Sequence, residues 1–242
     1  MSRVRPILFN TEMTEAVLEE WKTATRRIMK PQPWKIGEGE YECRHEKGFF
    51  DMGGNDWACR QCGCGVIPRK GGSYFHAPCQ TGDILYVRET WTFIPCIDCM
   101  EYGCHEKIPV THEDQDTVSE GCYIYKAGHE NPERITWRPS IHMPKTAARI
   151  WLKVKDVRVE RLHDMNASDL KAEGFLRYSL EDFEGEFDKL AVKFGYEEAK
   201  KKFAALWDST IPAGQQDSYG WEANPWTWVI EFERCRKPEG EE

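Results

Sequence analysis

Two cysteines in the first third of the chain have the spacing of a zinc-binding knuckle. Cys59 and Cys62 are separated by two residues, and Gly63 follows them. This spacing places two thiolates on a tight turn around a tetrahedral Zn²⁺, while the glycine relieves the backbone of the turn. A knuckle supplies only part of such a site, so the pattern predicts further ligands elsewhere in the chain.

Other cysteines on both sides of the knuckle can complete this site. Cys43 before the knuckle and Cys79 after it lie at distances along the chain that are typical of zinc ribbons. The preferred set of ligands is Cys43, Cys59, Cys62 and Cys79. Cys64 or His76 could replace one member of this set.

A second pair with the same spacing, Cys96 and Cys99, leaves two arrangements open. The pair could bind its own zinc with Cys104 and either His105 or Cys122, or it could join the first knuckle in a single four-cysteine site. Thiolate-rich zinc sites are closed, whereas hydrolytic sites keep an open position and favour histidine and carboxylate ligands. We therefore expect structural zinc, which a segment so poor in apolar residues would need in order to fold. The alternative is free thiols on a flexible loop.

A different chemistry is suggested near the start of the chain. Lys22 and Thr25 are three residues apart and would share a face on a helical turn. A threonine hydroxyl becomes a nucleophile when a base takes its proton, and a lysine desolvated in a cleft can be that base. The ordinary alternative is that Lys22, Arg26 and Arg27 form the solvated basic end of a helix.

Aromatic and basic residues in the middle of the chain are candidates for ligand contacts. Guanidinium groups and Trp rings stack on bases, and arginine also pairs with phosphate. Together with Arg26 and Arg27, the candidates are Arg88, Trp137, Arg138, His142, Lys145 and Arg149. The alternative is that the tryptophans belong to the core and the arginines cover them. Arg88 and Glu89 end one predicted strand together, which is equally consistent with an internal ion pair.

Composition limits the kinds of function that the chain can have. It has 242 residues, 40% of them hydrophobic and 12% aromatic, with a formal net charge of -8. An acidic chain is not expected to bind DNA through bulk charge, because counterion release needs a concentrated basic surface, so any nucleic-acid contact must be local. No stretch approaches the roughly 18 apolar residues of a membrane span. We therefore expect a cytoplasmic protein, in which clustered cysteines favour metal over disulfides.

Periodicity predicts the elements that must position these residues. The predicted strands cover residues 6–9, 84–89, 122–125 and 226–233, with a half-buried strand or pair of strands over 148–162. The predicted helices run from Thr11 or Thr14 to Trp21, from 168 to 173 before Gly174, and from 180 to 207. Several strands with few helices favour the α+β class, as a small β-barrel with flanking helices.

Two irregular stretches interrupt this pattern. Residues 34–80 and 95–121 hold most of the cysteines and little periodicity, and we interpret them as insertions. The remaining elements form one continuous pattern without internal repeats. The sequence therefore predicts a single domain over residues 1–242 that carries two insertions, the first of them cysteine-rich.

Five segments of the chain, in order and spacing, resemble the ASCH family, in particular its longer phage- and prophage-encoded members. They are Pro6–Phe9 with Lys22–Arg27, Thr81–Trp91, Trp137–Pro144, Leu170–Gly174 and Gly220–Trp226. The two cysteine-containing stretches fall outside the resemblance. It implies a PUA-like β-barrel with a cleft beside the Lys22–Thr25 segment, in a family thought to engage RNA or nucleosides, here in the cytoplasm of a phage host.

The resemblance also implies a catalytic set. Some small members look like amidohydrolases that remove the acetyl group from N(4)-acetylcytidine with a Lys, a Thr and a Glu, and this pattern falls on Lys22, Thr25 and Glu173. Glu173 could hold the lysine or pass a proton to the leaving amine. Alternatively, it is a salt-bridge partner or a surface charge. The chain departs from the small enzymes in having Arg26 before Arg27, where they have an apolar residue, and in being over twice their length.

Three functions follow from these observations. Binding of RNA or a modified nucleoside in the cleft ranks first, and deacylation of an acylated pyrimidine nucleoside ranks second. The third is a zinc-stabilised interaction module whose insertion contacts a protein partner. None of them involves a membrane.

Overall fold

The computed structural model describes residues 3–30, 32, 49–53, 56–59, 77–95, 108–111, 118–129, 133, 135–176 and 186–238. Its strands are β1 Val4–Leu8, β2 Ala24–Ile28, β3 Phe49–Gly53, β4 Asp56–Cys59, β5 Ile84–Arg88, β6 Trp91–Pro95, β7 Ile108–Thr111, β8 Val118–Tyr125, β9 Trp151–Arg161 and β10 Trp226–Cys235. Its helices are α1 Thr11–Leu18, α2 Ala167–Ala172, α3 Glu186–Ser209 and α4 Gln216–Tyr219, with short 3-10 turns at Ser140–His142, Lys145–Ala147 and Leu162–Asp164. This mixture confirms the α+β class.

The chain divides into two compact units. The first, unit 1, is built from the described residues of Glu20–Asp83 and Lys153–Glu233. Its strands lie in the order β9-β10-β2, and β3 pairs antiparallel with both β9 and β4. Strand β2 runs antiparallel to β10, which places Thr25 opposite Ile230. Helices α2 and α3 pack through an apolar cluster that includes Leu170, Phe203 and Trp207.

Unit 2 is built from Arg3–Glu19 and from the described residues of Ile84–Leu152 and of the segment from Arg234 onward. Strands β1 and β5 are parallel, with Val4 opposite Ile84. The second sheet is antiparallel, in the order β6-β8-β7. A buried cluster of Trp91, Met143 and Ala147 joins β6 to the turns that follow residue 139.

The structure corrects the prediction for the first helix. Helix α1 is capped by Asn10, whose side chain accepts a hydrogen bond from the Met13 amide at 2.8 Å, and not by Thr11 or Thr14. The Thr14 hydroxyl instead donates to the Asn10 carbonyl within the helix. The helix also ends at Leu18, before Trp21.

A second correction concerns the segment that carries Lys22 and Thr25. Residues 24–28 form strand β2, so the helical turn that would place Lys22 and Thr25 on one face does not exist. The strand forms because its backbone pairs with β10 from Thr227 to Glu231, an interaction between segments that are far apart in the chain. Local residue pattern does not encode such a pairing.

Other predictions are confirmed. Strand β5 lies where β-branched and aromatic content predicts it, and β9 and β10 lie where alternation predicts them. Helix α2 ends before Gly174, which has a φ of 89°. That positive φ favours glycine and stops the helix. The described part of the predicted long helix is α3, which continues to Ser209.

The two stretches predicted to be irregular contain paired strands. Strands β3 and β4 lie within residues 34–80, and β7 and the first residues of β8 lie within 95–121. The interpretation of these stretches as insertions in a single domain stays a prediction. The described strands do not close into a barrel. No described helix combines the length and the apolar character needed to span a bilayer.

Candidate functional site

The candidate site in unit 1 joins the start of β2 to the end of α2. Lys22 lies two residues before the strand, and Glu173 is the C-cap residue of the helix. The Thr23 amide donates to the Ala172 carbonyl at 2.8 Å. Because helix ends leave carbonyl groups unpaired, this segment serves as a cap for α2 and holds the two candidate residues together.

Lys22 makes three hydrogen bonds in the interior of unit 1. Its Nζ donates to the Ala24 carbonyl at 2.8 Å, to the Glu173 carbonyl at 2.7 Å and to Oε2 of Glu173 at 2.8 Å. Both side chains are buried, with exposed fractions of 0% for Lys22 and 1% for Glu173. An ammonium group has three donors, and here each has an acceptor. The geometry is therefore that of a charged lysine held by its surroundings.

Burial and charge act on Lys22 in opposite directions. Burial lowers the pKa of Lys22 below its ordinary value, and the Glu173 carboxylate raises it through its charge and its hydrogen bond. The positive charges of Arg27 and Arg26 lower the pKa further. Burial is the largest effect because the ammonium loses its hydration, so the net direction is downward.

The other oxygen of Glu173 is incompletely paired. Oε1 lies 3.6 Å from Nη1 of Arg26, too far for a hydrogen bond, and it has no hydrogen-bond partner. Nε and Nη1 of Arg26 are also buried without hydrogen-bond partners. An unpaired buried polar group costs about 1–3 kcal/mol, so this part of the site is an expensive arrangement.

A chain of ion pairs leads from Arg26 to the surface. Nη2 of Arg26 lies 3.1 Å from Oδ1 of Asp169 and 3.3 Å from Oε2 of Glu160. Glu160 also accepts a 2.6 Å hydrogen bond from Arg158, which pairs with Glu231 as well. Burial by itself lowers the pKa of Arg158, but the hydrogen bonds and charges of Glu160 and Glu231 raise it above its ordinary value.

Thr25 is buried in β2, opposite Ile230. Because successive side chains in a strand alternate, Thr25 and Arg26 lie on opposite faces of β2. Arg27 is half-buried on the same face as Thr25. The pKa of its guanidinium is lowered by burial, and the charge of Glu173 offsets only part of this effect. Of the implied catalytic residues, the structure thus brings Lys22 and Glu173 into direct contact.

The ligand candidates in the middle of the chain belong to unit 2, and each of those described below has different contacts. Arg88 donates from Nε to the Met143 carbonyl at 2.7 Å. Trp137 packs against a buried apolar cluster, which favours the core interpretation. The exposed Arg138 lies over the Trp91 ring, with 5.3 Å between the guanidinium carbon and the ring centroid. Two further candidates, one exposed and one half-buried, are His142 and Lys145.

Glu89 does not pair with its neighbour Arg88. It is fully buried and receives hydrogen bonds from Arg149, from Nε at 2.9 Å and from Nη2 at 2.8 Å. Burial raises the pKa of Glu89, and the hydrogen bonds and charge of Arg149 lower it in part. Since the two residues are 60 positions apart, no local pattern indicates this pair.

Sequence reasoning also missed the charged residues around Arg26. One signal was available, because Asp156, Arg158 and Glu160 alternate along β9 and therefore share one face of the strand. Asp169 offers another signal, since it forms a capping box with Asn166 at the start of α2. Neither pattern shows that these residues surround Arg26.

The predicted zinc ligands fall mainly outside the described residues. Cys59 ends strand β4, and Cys79 is buried. Cys122, the alternative ligand of the second site, is disulfide-bonded and so is not the thiolate that this alternative requires. Those that lie outside are Cys43, Cys62, Cys96, Cys99 and Cys104, together with the alternatives Cys64, His76 and His105. Within the described part of the chain, no group of three His, Cys, Asp or Glu side chains could hold a metal ion. Structural zinc therefore stays a prediction, which metal analysis of the purified protein would test.

Comparison of the chain with models of protein families, with curated proteins and with solved structures finds no match. Any functional statement must therefore come from the residues and their geometry.

Proposed function

We propose that this is an ASCH-type, PUA-like protein that binds a nucleoside, free or within RNA, at the site formed by Lys22, Arg26 and Glu173. The observation that carries the proposal is Oε1 of Glu173, a buried carboxylate oxygen without a hydrogen-bond partner. The family part of the proposal rests on the resemblance of the five sequence segments.

The unpaired oxygen favours a ligand that donates a hydrogen bond. A carboxylate accepts strongly, and charge-assisted bonds are roughly twice as strong as neutral ones. Nucleobases carry amino and imino N–H groups that are suited to such an acceptor. Because Lys22 already occupies Oε2 at 2.8 Å, Glu173 is held in place before a ligand arrives. A preorganised acceptor loses little entropy on binding.

Binding is favoured over catalysis by the state of Lys22. A base needs a free lone pair, whereas Nζ of Lys22 donates to three acceptors. To accept a proton from Thr25, the lysine would first have to release one of its own and give up one of these bonds. The arrangement therefore serves a fixed positive charge better than a proton acceptor.

Calorimetric titration with cytidine, uridine, adenosine and guanosine would test the proposal. We expect Glu173→Gln to weaken the binding of the preferred nucleoside by at least about ten-fold, because the substitution removes the charged acceptor. Glu233→Gln is the matched control, since Glu233 is exposed and pairs with Lys155 at the surface. If no nucleoside binds to the folded wild-type protein, the proposal is wrong.

A second candidate, deacylation of N(4)-acetylcytidine, is favoured by one observation. The implied base Lys22 touches the implied proton carrier Glu173, and burial lowers the pKa of Lys22. In this reaction the Thr25 hydroxyl would attack the acyl carbon while Lys22 takes its proton, and Glu173 would return a proton to the leaving amine. Water would then hydrolyse the acylated threonine.

Mass spectrometry of cytidine release from N(4)-acetylcytidine separates the two candidates. The enzyme requires turnover by the wild type that is lost in Lys22→Ala, Thr25→Val and Glu173→Gln. Binding of the nucleoside without release of cytidine would leave the site as a binding site and remove this reaction.

A further inference from the structure

Arg26 places buried hydrogen-bond donors beside the acceptor oxygen of Glu173. Its Nη1 lies 3.6 Å from the unpaired Oε1 of Glu173, and both Nη1 and Nε are buried without hydrogen-bond partners. A guanidinium stays protonated in proteins, so these N–H groups cannot avoid their cost by losing a proton. A hydrogen-bond donor and a hydrogen-bond acceptor are thus buried side by side, each without a hydrogen bond.

We infer that Arg26 determines ligand specificity at this site, by requiring a hydrogen-bond acceptor next to the N–H group that Glu173 receives. The inference rests on the proposed function, because it concerns the same ligand. The chemical class that satisfies both residues is a planar amide or amidine edge, in which a donor and an acceptor are adjacent. The amino group of cytosine beside its ring nitrogen N3 is one example.

The third nitrogen of Arg26 anchors the side chain for this task. Nη2 lies 3.1 Å from Oδ1 of Asp169 and 3.3 Å from Oε2 of Glu160. These two carboxylates hold the guanidinium through Nη2, while Nε and Nη1 make no hydrogen bond. A lysine could not replace it, because a single ammonium does not offer separate anchoring and recognition groups in a fixed plane.

The charges of the site indicate recognition by hydrogen-bond geometry. Arg26 and Glu173 carry opposite charges, and their side chains are 0% and 1% exposed. A neutral ligand edge that contacts both groups from one side brings no new charge into the interior, whereas a buried phosphate would need compensation. The affinity is therefore expected to change little with salt concentration, unlike that of an anionic ligand.

The test removes the acceptor N3 from the ligand and the guanidinium of Arg26 from the protein, first separately and then together. Affinities are measured by calorimetry for cytidine and for 3-deazacytidine, in which a C–H group replaces N3, with the wild type, Arg26→Met and Lys155→Met. We expect the wild type to bind cytidine at least about ten-fold more tightly than 3-deazacytidine. In Arg26→Met this ratio should fall to within about two-fold, because the unpaired donors are gone. Lys155, which forms an exposed pair with Glu233, should keep the wild-type ratio when it is replaced.

The outcomes separate the inference from the function on which it rests. Cytidine bound by the wild type no more tightly than 3-deazacytidine overturns the inference and leaves the proposed function standing. The same holds if Arg26→Met keeps the wild-type ratio, since another residue would then read the acceptor. Absence of binding by both nucleosides removes the proposed function and the inference together. The comparison of the two ligands on the wild type needs no variant to fold.

Discussion

Units 1 and 2 each bury a glutamate against a cation, but they satisfy the carboxylate differently. In unit 2, both oxygens of Glu89 accept hydrogen bonds from Arg149, at 2.9 Å and 2.8 Å. In unit 1, Lys22 bonds only to Oε2 of Glu173, whereas Oε1 has no hydrogen-bond partner and lies 3.6 Å from Nη1 of Arg26. The difference teaches that a buried carboxylate alone does not mark a ligand site. A buried carboxylate with an unused acceptor is the stronger indication.

The two cations also differ in their access to water. Arg149 is 33% exposed and lies over the Tyr125 ring, 4.1 Å from its centroid. The side chain of Lys22 is 0% exposed. The pair in unit 2 can therefore relax towards solvent when it is disturbed, whereas the pair in unit 1 cannot. We therefore expect the loss of Lys22 to lower the free energy of unfolding more than the loss of Arg149.

Loss of Lys22 should have the largest effect. Lys22→Met leaves the carboxylate of Glu173 buried without the cation that is hydrogen-bonded to it, and we expect the free energy of unfolding to fall by about 3–5 kcal/mol. Urea denaturation measures this change. Lys155→Met is the control, because its exposed pair with Glu233 should contribute less than about 1 kcal/mol. Similar losses in both variants would contradict the contrast between the buried and exposed pairs.

Loss of Arg149 should cost less than loss of Lys22. Arg149→Met removes two hydrogen bonds from Glu89, and we expect a decrease of about 2–3 kcal/mol at pH 8. The buried carboxyl can then take up a proton, so the decrease should shrink as the pH falls towards 5. Denaturation at both pH values measures this difference. A decrease at pH 5 that is no smaller than the decrease at pH 8 would show that Glu89 stays ionised without Arg149.

Loss of the N-cap of α2, in unit 1, should lower the free energy of unfolding by a smaller amount. The Asn166 side chain accepts from the Asp169 amide at 3.0 Å, and Asp169 in turn contacts Arg26. Asn166→Ala should lower the free energy of unfolding by about 1 kcal/mol. It should also weaken nucleoside binding, because α2 carries both Asp169 and Glu173. Unchanged affinity in a destabilised variant would mean that the helix end does not position the site.

The raised pKa of Glu89 in unit 2 predicts the direction in which the free energy of unfolding changes with pH. Burial raises the pKa of Glu89 above the ordinary value of 4.5. As the pH rises from 4.5 towards this raised value, the unfolded chain loses the proton first, so the folded state holds more protons and its stability falls. The difference in unfolding free energy between the wild type and Glu89→Gln should therefore decrease as the pH rises through this window. An increase would mean that Arg149 lowers the pKa below 4.5.

Local residue pattern was sufficient for much of the fold. Alternation in β9 and β10 and the Gly174 stop after α2 could be predicted, because each depends on neighbours in the chain. Strand β2 could not, because it exists through its pairing with β10. Its residues, Ala24 to Ile28, include two arginines that resemble the polar end of a helix when they are considered alone.

For the candidate site, local pattern was sufficient for the end of α2 before Gly174, next to Glu173. The chemistry of Lys22 could be argued from its type, and Glu173 was indicated by family resemblance alone. Only the tertiary structure decided that Lys22 contacts Glu173 across 151 positions, and that Arg26 lies beside them. It likewise joined Glu89 to Arg149 and not to Arg88. The physical reason is that ion pairs between distant residues depend on how strands and helices pack, which local periodicity and caps do not specify.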